Sequence, residues 1–236
     1  MASLRIHPLH LGTITRPKII FCFGLGGLDK VVEAPLIAWY IEGADKKILV
    51  DTGGADPSAV PFRAPYVRKE EQTVDQALKR LGVDCGDIDI VILTHLHWDH
   101  CSNIDLFPKA RIIVQEQELK TARSPLPLMA GGYDTRIVQS DRFELISGDR
   151  KITDGVSVVL TPGHTYGSQG VTVDAETQRY FIAGDTVALF ECTPPIISGV
   201  YVDMRLYYES FEKMARLSAT TLPGHDTKVF DREVYR

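Results

Sequence analysis

Apolar residues along the chain fall into short runs separated by polar, Gly-marked or Pro-marked breaks. The runs over Leu36–Ile41, Lys47–Val50, Ile88–Leu93, Arg111–Val114, Val156–Leu160, Gly170–Val173 and Arg179–Ala183 have the length and β-branched content of strands. Two segments carry helical spacing instead. Thr73-Val74-Asp75-Gln76 predicts a capping box opening a helix through Leu81, with Val74, Ala77, Leu78 and Leu81 on one face and Gly82 as its stop. Asp203 predicts the cap of another helix, on which Met204, Tyr207, Phe211, Met214 and Leu217 form an apolar stripe read as core packing. The stretches Gly24–Pro35 and Ser124–Ser140 show neither period, and irregular segments of that length suit the walls or lids of a site.

Strand and helix signals alternate over all 236 residues without a repeat or a linker, so the expectation is one domain, 1–236, of layered sheet and helix. The chain is 44% hydrophobic and 24% charged, which excludes disordered and fibrous classes. A net charge of −5, without a basic run, offers no field to nucleic acid. No apolar stretch approaches the roughly eighteen residues of a membrane span, and the start lacks a basic then apolar leader, so no membrane and a cytoplasmic location are expected. The four cysteines, Cys22, Cys85, Cys101 and Cys192, form no CxxC pair and read as reduced thiols.

Chemistry concentrates at strand ends. The strand Ile88–Leu93 runs directly into Thr94-His95-Leu96-His97-Trp98-Asp99-His100, a density of metal-ligand side chains that packing does not require. His95 and His97, two apart in an extended segment, point the same way and can share one cation, while Asp99 and His100 follow as the chain turns and can reach a second. His164, Asp185 and His225 then appear after three further strands, each beside a glycine that allows a sharp turn and close approach. Five of the seven histidines belong to this set; His7 and His10 do not. Cys101 and Cys192 are read as small buried residues.

These residues resemble the metallo-β-lactamase superfamily, whose HxHxDH motif is His95 to His100 here, with Leu49-Val50-Asp51-Thr52-Gly53 as its early turn and His164, Asp185 and His225 following in order. The resemblance implies an α+β fold, a four-layer αββα sandwich with metals at one edge between the sheets. It implies that His95, His97 and His164 hold one metal, that Asp99, His100 and His225 hold the other, and that Asp185 bridges both. Asp51 then either orients a ligand from behind or is a plain turn residue. Without a Cys ligand the chain is unlike the secreted β-lactamases, and the eleven residues after His225 leave no room for the helical extension of glyoxalase II. Its size, Trp98 and the Pro223-Gly224-His225-Asp226 ending look most similar to the N-acyl-homoserine lactonase branch. One departure stands out: Ala188 occupies the position where those lactonases carry a substrate-assisting Tyr. Tyr133, Tyr166 and Tyr201 are the candidates to replace it.

The function so implied is a hydrolase opening a lactone or similar small cyclic acyl compound. Two cations about 3.5–4 Å apart bridge a water and lower its pKa from 15.7 toward roughly 7, giving a hydroxide nucleophile, with Asp99 as proton carrier. The His and carboxylate set suits two Zn2+, with Mn, Fe or Co as alternatives. The rival readings are a glyoxalase II-type thioesterase and an iron-dependent oxygenase on the same fold. Apolar residues in Ile19–Leu28 have three uses open to them: the pocket, the core, or a homodimer contact.

Overall fold

The apolar runs at 36–41, 47–50, 88–93 and 111–114 form the middle of a seven-stranded sheet. The computed structural model describes residues 3–24, 29–59 and 65–236. The first sheet contains β1 (Arg5–Pro17), β2 (Val31–Glu42), β3 (Ile48–Val50), β4 (Tyr66–Val67), β5 (Ile90–Ile92), β6 (Arg111–Gln115) and β7 (Phe143–Ile146), in the order β4-β1-β2-β3-β5-β6-β7. It is antiparallel from β4 to β3 and parallel from β3 to β7. The second sheet holds β8 (Arg150–Thr153), β9 (Val156–Leu160), β10 (Gln169–Asp174), β11 (Arg179–Ile182) and β12 (Thr220–Leu222), ordered β12-β11-β10-β9-β8, with β11 and β12 parallel.

Alternate residues of each central strand serve two different cores, which is why these strands read as unbroken apolar runs. Ile37, Trp39 and Ile41 of β2, Ile48 and Val50 of β3, and Ile90 and Ile92 of β5 meet Val156, Val158, Val171, Val173, Tyr180 and Ile182 of the second sheet. The intervening Ala38, Leu49, Val91 and Ile112 face outward into a layer that includes Ala77 and Leu78 of α2 (Val74–Lys79), the second helix after α1 (Lys18–Phe21). The remaining helices are α3 (Trp98–Cys101), α4 (Glu116–Arg123), α5 (Thr135–Val138) and α6 (Met204–Ala215). Tyr207 and Phe211 of α6 cover the outer face of the second sheet with Val159 and Phe181, completing an α+β sandwich of two sheets between helices.

Several expectations are corrected. The capping box at Thr73 does not form: Thr73 Oγ1 donates to Glu70 O at 3.1 Å rather than closing the helix start. Leu81 lies beyond the helix and is exposed, although Gly82 at φ 72° does end the turn. β1 was invisible as a strand because its pairing with β2 shifts register between His10 and Thr13, where Gly12 stands at φ 120°, so no single alternation runs through it. The stretch expected to be irregular from Gly24 to Pro35 is strand from Val31 onward; Pro35 is tolerated there opposite Thr13, just past the shift. Residues 25–28 of that stretch, with Leu25 and Leu28, lie outside the described residues. Ser124–Ser140 is irregular apart from α5 and one 3-10 turn at Ala130–Gly132. The stripe on α6 is core at Tyr207 and Phe211, with Met214 and Leu217 partly buried against it, but Met204 is exposed. Asp203 caps as expected, accepting from Leu206 N at 3.0 Å.

Candidate metal centre

Every residue of the sequence-derived set hangs from the C-terminal end of a strand at one edge of the sandwich. Asp51 follows β3, His95 to His100 follow β5, His164 follows β9, Asp185 follows β11 and His225 follows β12. The glycines beside them have steric work to do at two places. Gly163 sits at φ 141°, and a Cβ there would lie 2.6 Å from Tyr207 Cα. A Cβ on Gly224 would lie 2.9 Å from Asp185 Oδ1. Both positions bring a ligand loop closer to its neighbour than any side chain would permit.

The ring nitrogens converge. His97 Nδ1 lies 3.0 Å from His95 Nε2 and 3.0 Å from His164 Nε2, and His100 Nε2 lies 3.3 Å from His225 Nε2. Asp185 Oδ1 is 3.2 Å from His100 Nε2 and 3.0 Å from His225 Nε2, and its Oδ2 is 3.5 Å from His164 Nε2. Asp99 Oδ2 sits 3.9 Å from His100 Nε2 and 3.7 Å from His225 Nε2. Three groups have ligand atoms all within 4.8 Å of one another: His95, His97 and His164; His95, His100 and Asp185; Asp99, His100 and His225.

The outward side of four rings assigns their protons. His100 Nδ1 donates to Asp51 Oδ2 at 2.8 Å, His164 Nδ1 to Val200 O at 2.7 Å and His225 Nδ1 to Pro35 O at 2.8 Å. Thr94 Oγ1 donates to Asp51 Oδ2 at 2.8 Å, so it accepts from His95 Nδ1 at 3.1 Å. With the proton placed on Nδ1 of each, all four turn a bare Nε2 lone pair inward. Lone pairs facing at hydrogen-bond distance repel unless a positive centre lies among them. Asp185 Oδ1 strengthens the case, being a buried carboxylate oxygen with no hydrogen-bond partner. The donor set thus fits divalent cations.

Electrostatics point the same way. Burial holds His95 and His97 well below the ordinary imidazole pKa and lowers His164 as well. Burial also opposes a proton on His100 and His225, yet Asp185, with Asp99 and for His100 also Asp51, outweighs it and raises both. Asp185 is held well below the carboxylate range against its own burial by His225, His100 and His164. The centre is a negative well built to hold positive charge.

Comparison with known proteins gives the family and the fold. The family model described as the metallo-beta-lactamase superfamily matches residues 38–225. The chain belongs to the metallo-β-lactamase superfamily. Among relatives, the N-acyl homoserine lactonase AiiB of Agrobacterium fabrum is 27% identical over 230 residues, covering 86% of this chain and 83% of that protein. The solved structure of a Bacillus thuringiensis AiiA mutant, with N-decanoyl-L-homoserine bound at its active site, shares the fold with a TM-score of 0.83 at 24% identity, over 98% of this chain and 96% of its own. AidC, a dizinc quorum-quenching lactonase in complex with its product N-hexanoyl-L-homoserine, superposes with a TM-score of 0.72 at 18% identity, over 96% and 89% of the two chains.

In this superfamily member a cavity of about 350 Å3 opens over the centre. His97, Asp99, His164, Asp185 and His225 reach into it, and Ile14, Ile20, Phe21, Trp98, Leu128 and Met129 wall it. Leu128 and Met129 come from the 124–140 segment, and Ile20 and Phe21 from the 19–28 cluster, so both contribute walls. Ala188 is buried, its carbonyl accepting from His225 N at 2.8 Å. None of Tyr133, Tyr166 and Tyr201 is among the cavity-lining residues; Tyr133 instead packs on His97, ring centroids 5.0 Å apart. Cys101 turns its thiol to Leu96 O at 3.4 Å and belongs to none of the ligand groups. His7 pairs with Glu42 at 2.8 Å and His10 with Thr13 at 3.1 Å, both away from the centre.

Asp51 orients its neighbours rather than serving as a plain turn residue. At φ 61° its carboxylate accepts from Thr94 N at 2.7 Å as well as from Thr94 Oγ1 and His100 Nδ1. Sequence reasoning missed its counterpart, Glu118. This buried carboxylate accepts from Leu96 N at 2.9 Å, Thr165 Oγ1 at 2.5 Å and Gly167 N at 3.2 Å, tying the His95–His97 segment to the His164 loop. Its place on the apolar face of α4 beside Leu119 and Ala122 was the available signal. Also missed were the Tyr207 hydroxyl, which reaches Asp185 O at 2.7 Å, and Arg16, which lines the cavity from the end of β1.

Proposed function

We propose that this chain is a metal-dependent hydrolase that opens a lactone or a similar small cyclic acyl compound. In this reading His95, His97 and His164 hold one zinc ion, Asp99, His100 and His225 hold a second, and Asp185 serves both; Mn, Fe or Co are alternatives that the same ligands accept. The observation that carries it is the ring of inward lone pairs around the unpartnered Asp185 Oδ1, at the floor of a cavity large enough for a small ring ester. The lactonase names of the relatives support the substrate class.

Two divalent cations, when bound, supply Lewis acidity toward the ester carbonyl and a water activated near neutral pH. The protein supplies the rest. Asp99 lines the cavity, and its carboxylate takes the proton of the attacking water and returns it to the alkoxide that leaves when the ring C–O bond breaks. The bonds from His100 to Asp51, from His164 to Val200 O and from His225 to Pro35 O hold the rings in register. The apolar walls keep bulk water from the developing charge. The same reading takes residues 1–236 as one domain, for which limited proteolysis is expected to leave a single resistant core.

The test is proton release at neutral pH from zinc-loaded protein and from a chelator-treated control, against acyl-homoserine lactones of several chain lengths and aromatic-fused lactones, with metal content measured in parallel. Turnover that needs about two metal equivalents per chain is the expected result. Thioester hydrolysis without lactone turnover would replace the reading by a thioesterase, and oxygen uptake with a single iron would replace it by an oxygenase.

A further inference from the structure

Two of the four cysteines meet where two walls of the cavity are joined. Cys22 follows α1, and Cys192 lies in the loop beyond the Asp185 turn. The Cys192 thiol donates to Phe21 O at 3.1 Å, the carbonyl bonded to Cys22 N. The two thiols stand within hydrogen-bonding reach of one another. Cys101, by contrast, turns its thiol to Leu96 O at 3.4 Å. Neither Cys22 nor Cys192 belongs to any of the three ligand groups, and the proposed hydrolysis uses neither.

The segments that carry them line the site. Ile20 and Phe21 face the cavity from one of them, and Ser198, Gly199 and Val200 from the other. Between the two run the bonds from Phe23 N to Ile197 O at 2.6 Å and from Gly199 N to Ile20 O at 3.1 Å, with an ion pair of Lys18 and Glu191 at 2.7 Å. Phe21 packs on His225, ring centroids 5.3 Å apart, and Val200 O holds His164 Nδ1. A bond between Cys22 and Cys192 fastens covalently what these weaker contacts now hold. Cys192 is fully buried while Cys22 is 7% exposed, so an incoming oxidant meets Cys22 first. Burial raises the pKa of both thiols, and the contact with Cys192 and the Lys18 ammonium act to lower that of Cys22.

We propose that Cys22 and Cys192 are an oxidisable dithiol that closes to an intramolecular disulfide and locks these two walls together. The oxidant is a small disulfide of the glutathione class. The Cys22 sulfur gives up its proton and attacks one sulfur of the oxidant, whose S–S bond breaks; a mixed disulfide forms and one glutathione leaves as its thiol. The Cys192 sulfur, losing its own proton, then attacks the Cys22 sulfur and displaces the second glutathione, again as a thiol. Two protein thiols are oxidised to one disulfide, and one glutathione disulfide is reduced to two thiols. The step needs only the two sulfurs and the oxidant, so it does not rest on the hydrolase reading.

The experiment treats zinc-loaded wild type with oxidised glutathione in the absence of denaturant, blocks the remaining thiols by alkylation, and maps tryptic peptides without reduction. The expected result is residues 19–30, which carry Cys22, joined to residues 180–205, which carry Cys192, and separated again by dithiothreitol. Closing so long a loop is expected to raise the thermal midpoint by about 5–15 °C over the reduced protein. Cys22→Ser and Cys192→Ser, given the same oxidant, are expected to show neither the joined peptides nor the rise. The map is read on wild type, so it holds even where a serine variant does not fold. Peptides 19–30 and 180–205 that stay separate, with Cys22 and Cys192 both alkylated, overturn the proposal. Glutathione retained on Cys22 beside an alkylated Cys192 does so too, because the second displacement then fails. Joined peptides with an unchanged midpoint overturn the lock.

Discussion

Replacing Asp51 by Asn removes one charge and almost no volume, which isolates what the carboxylate does behind the centre. The variant keeps the backbone, because Asn tolerates the left-handed φ of 61° as readily as Asp. Its amide oxygen can continue to accept from Thr94 N, where Asp51 Oδ1 accepts at 2.7 Å. The new NH2 then faces both former partners of Oδ2. The Thr94 hydroxyl can rotate and accept, but the His100 Nδ1 proton, now 2.8 Å from a donor, cannot. The ring must turn, or move its proton to Nε2, and either removes the lone pair that faces Asp185 and His225. A hydrogen bond to a charged group is worth about 1.5–3 kcal/mol. At about 1.4 kcal/mol per tenfold, that is roughly a ten- to hundredfold loss of affinity at the site His100 serves. Competition against a chromogenic chelator reads the two binding steps separately. One equivalent near wild-type affinity and a second weakened by that factor is the expected result. Two equivalents bound as tightly as in the wild type would refute the role given to Asp51.

Asp99→Asn, assayed at saturating metal, is expected to lower kcat by about a hundredfold or more with little change in KM; unchanged kcat would remove Asp99 from proton transfer. Gly163→Ala forces a side chain onto a φ of 141° and to within 2.6 Å of Tyr207 Cα, and should cost about 1–3 kcal/mol in urea unfolding of the metal-free protein. A wild-type midpoint would show that the His164 loop yields freely. Burial lowers the pKa of His10, which stacks on Phe230 with centroids 5.0 Å apart. Below its ordinary value of about 6.5 the unfolded chain therefore takes up a proton that the folded chain refuses. Stability falls as pH drops through that value toward the folded pKa. His10→Gln should lose less stability than wild type between about pH 7.5 and 5.5, and parallel losses would show that His10 is not the group responsible.

The candidate ligand set was legible because it is local chemistry written at strand ends. His95 to His100 follow one another, and His164, Asp185 and His225 each stand beside a glycine in a run that breaks off abruptly. The central strands were legible for a related reason: cover on both faces leaves an unbroken apolar run at Leu36–Ile41 and again at 90–93. What stayed hidden depends on contacts far apart in sequence. The partners of Glu118 lie 22 to 49 residues away, so nothing near it announces that it clamps two loops. The Tyr207 hydroxyl looked like core because its ring is core, while its oxygen serves Asp185 O. The capping box at Thr73 failed in the opposite sense, since Glu70 O captured the hydroxyl on which the local pattern relied. β1 was lost to a single residue, Gly12.

That residue also sets the parity of the pleat. Before it, the odd positions Leu9 and Leu11 face the outer layer while Ile6 faces the gap between the sheets; after it, the even position Ile14 faces the outer layer. Ile14 and Arg16 therefore share a face, and both line the cavity. Had the strand kept one rhythm throughout, Thr13 and Thr15 would stand there in their place. The cavity would then be lined by two hydroxyls where it now has an isoleucine and an arginine. One inserted residue at φ 120°, far along the chain from every candidate ligand, thus decides which side chains of β1 face the site.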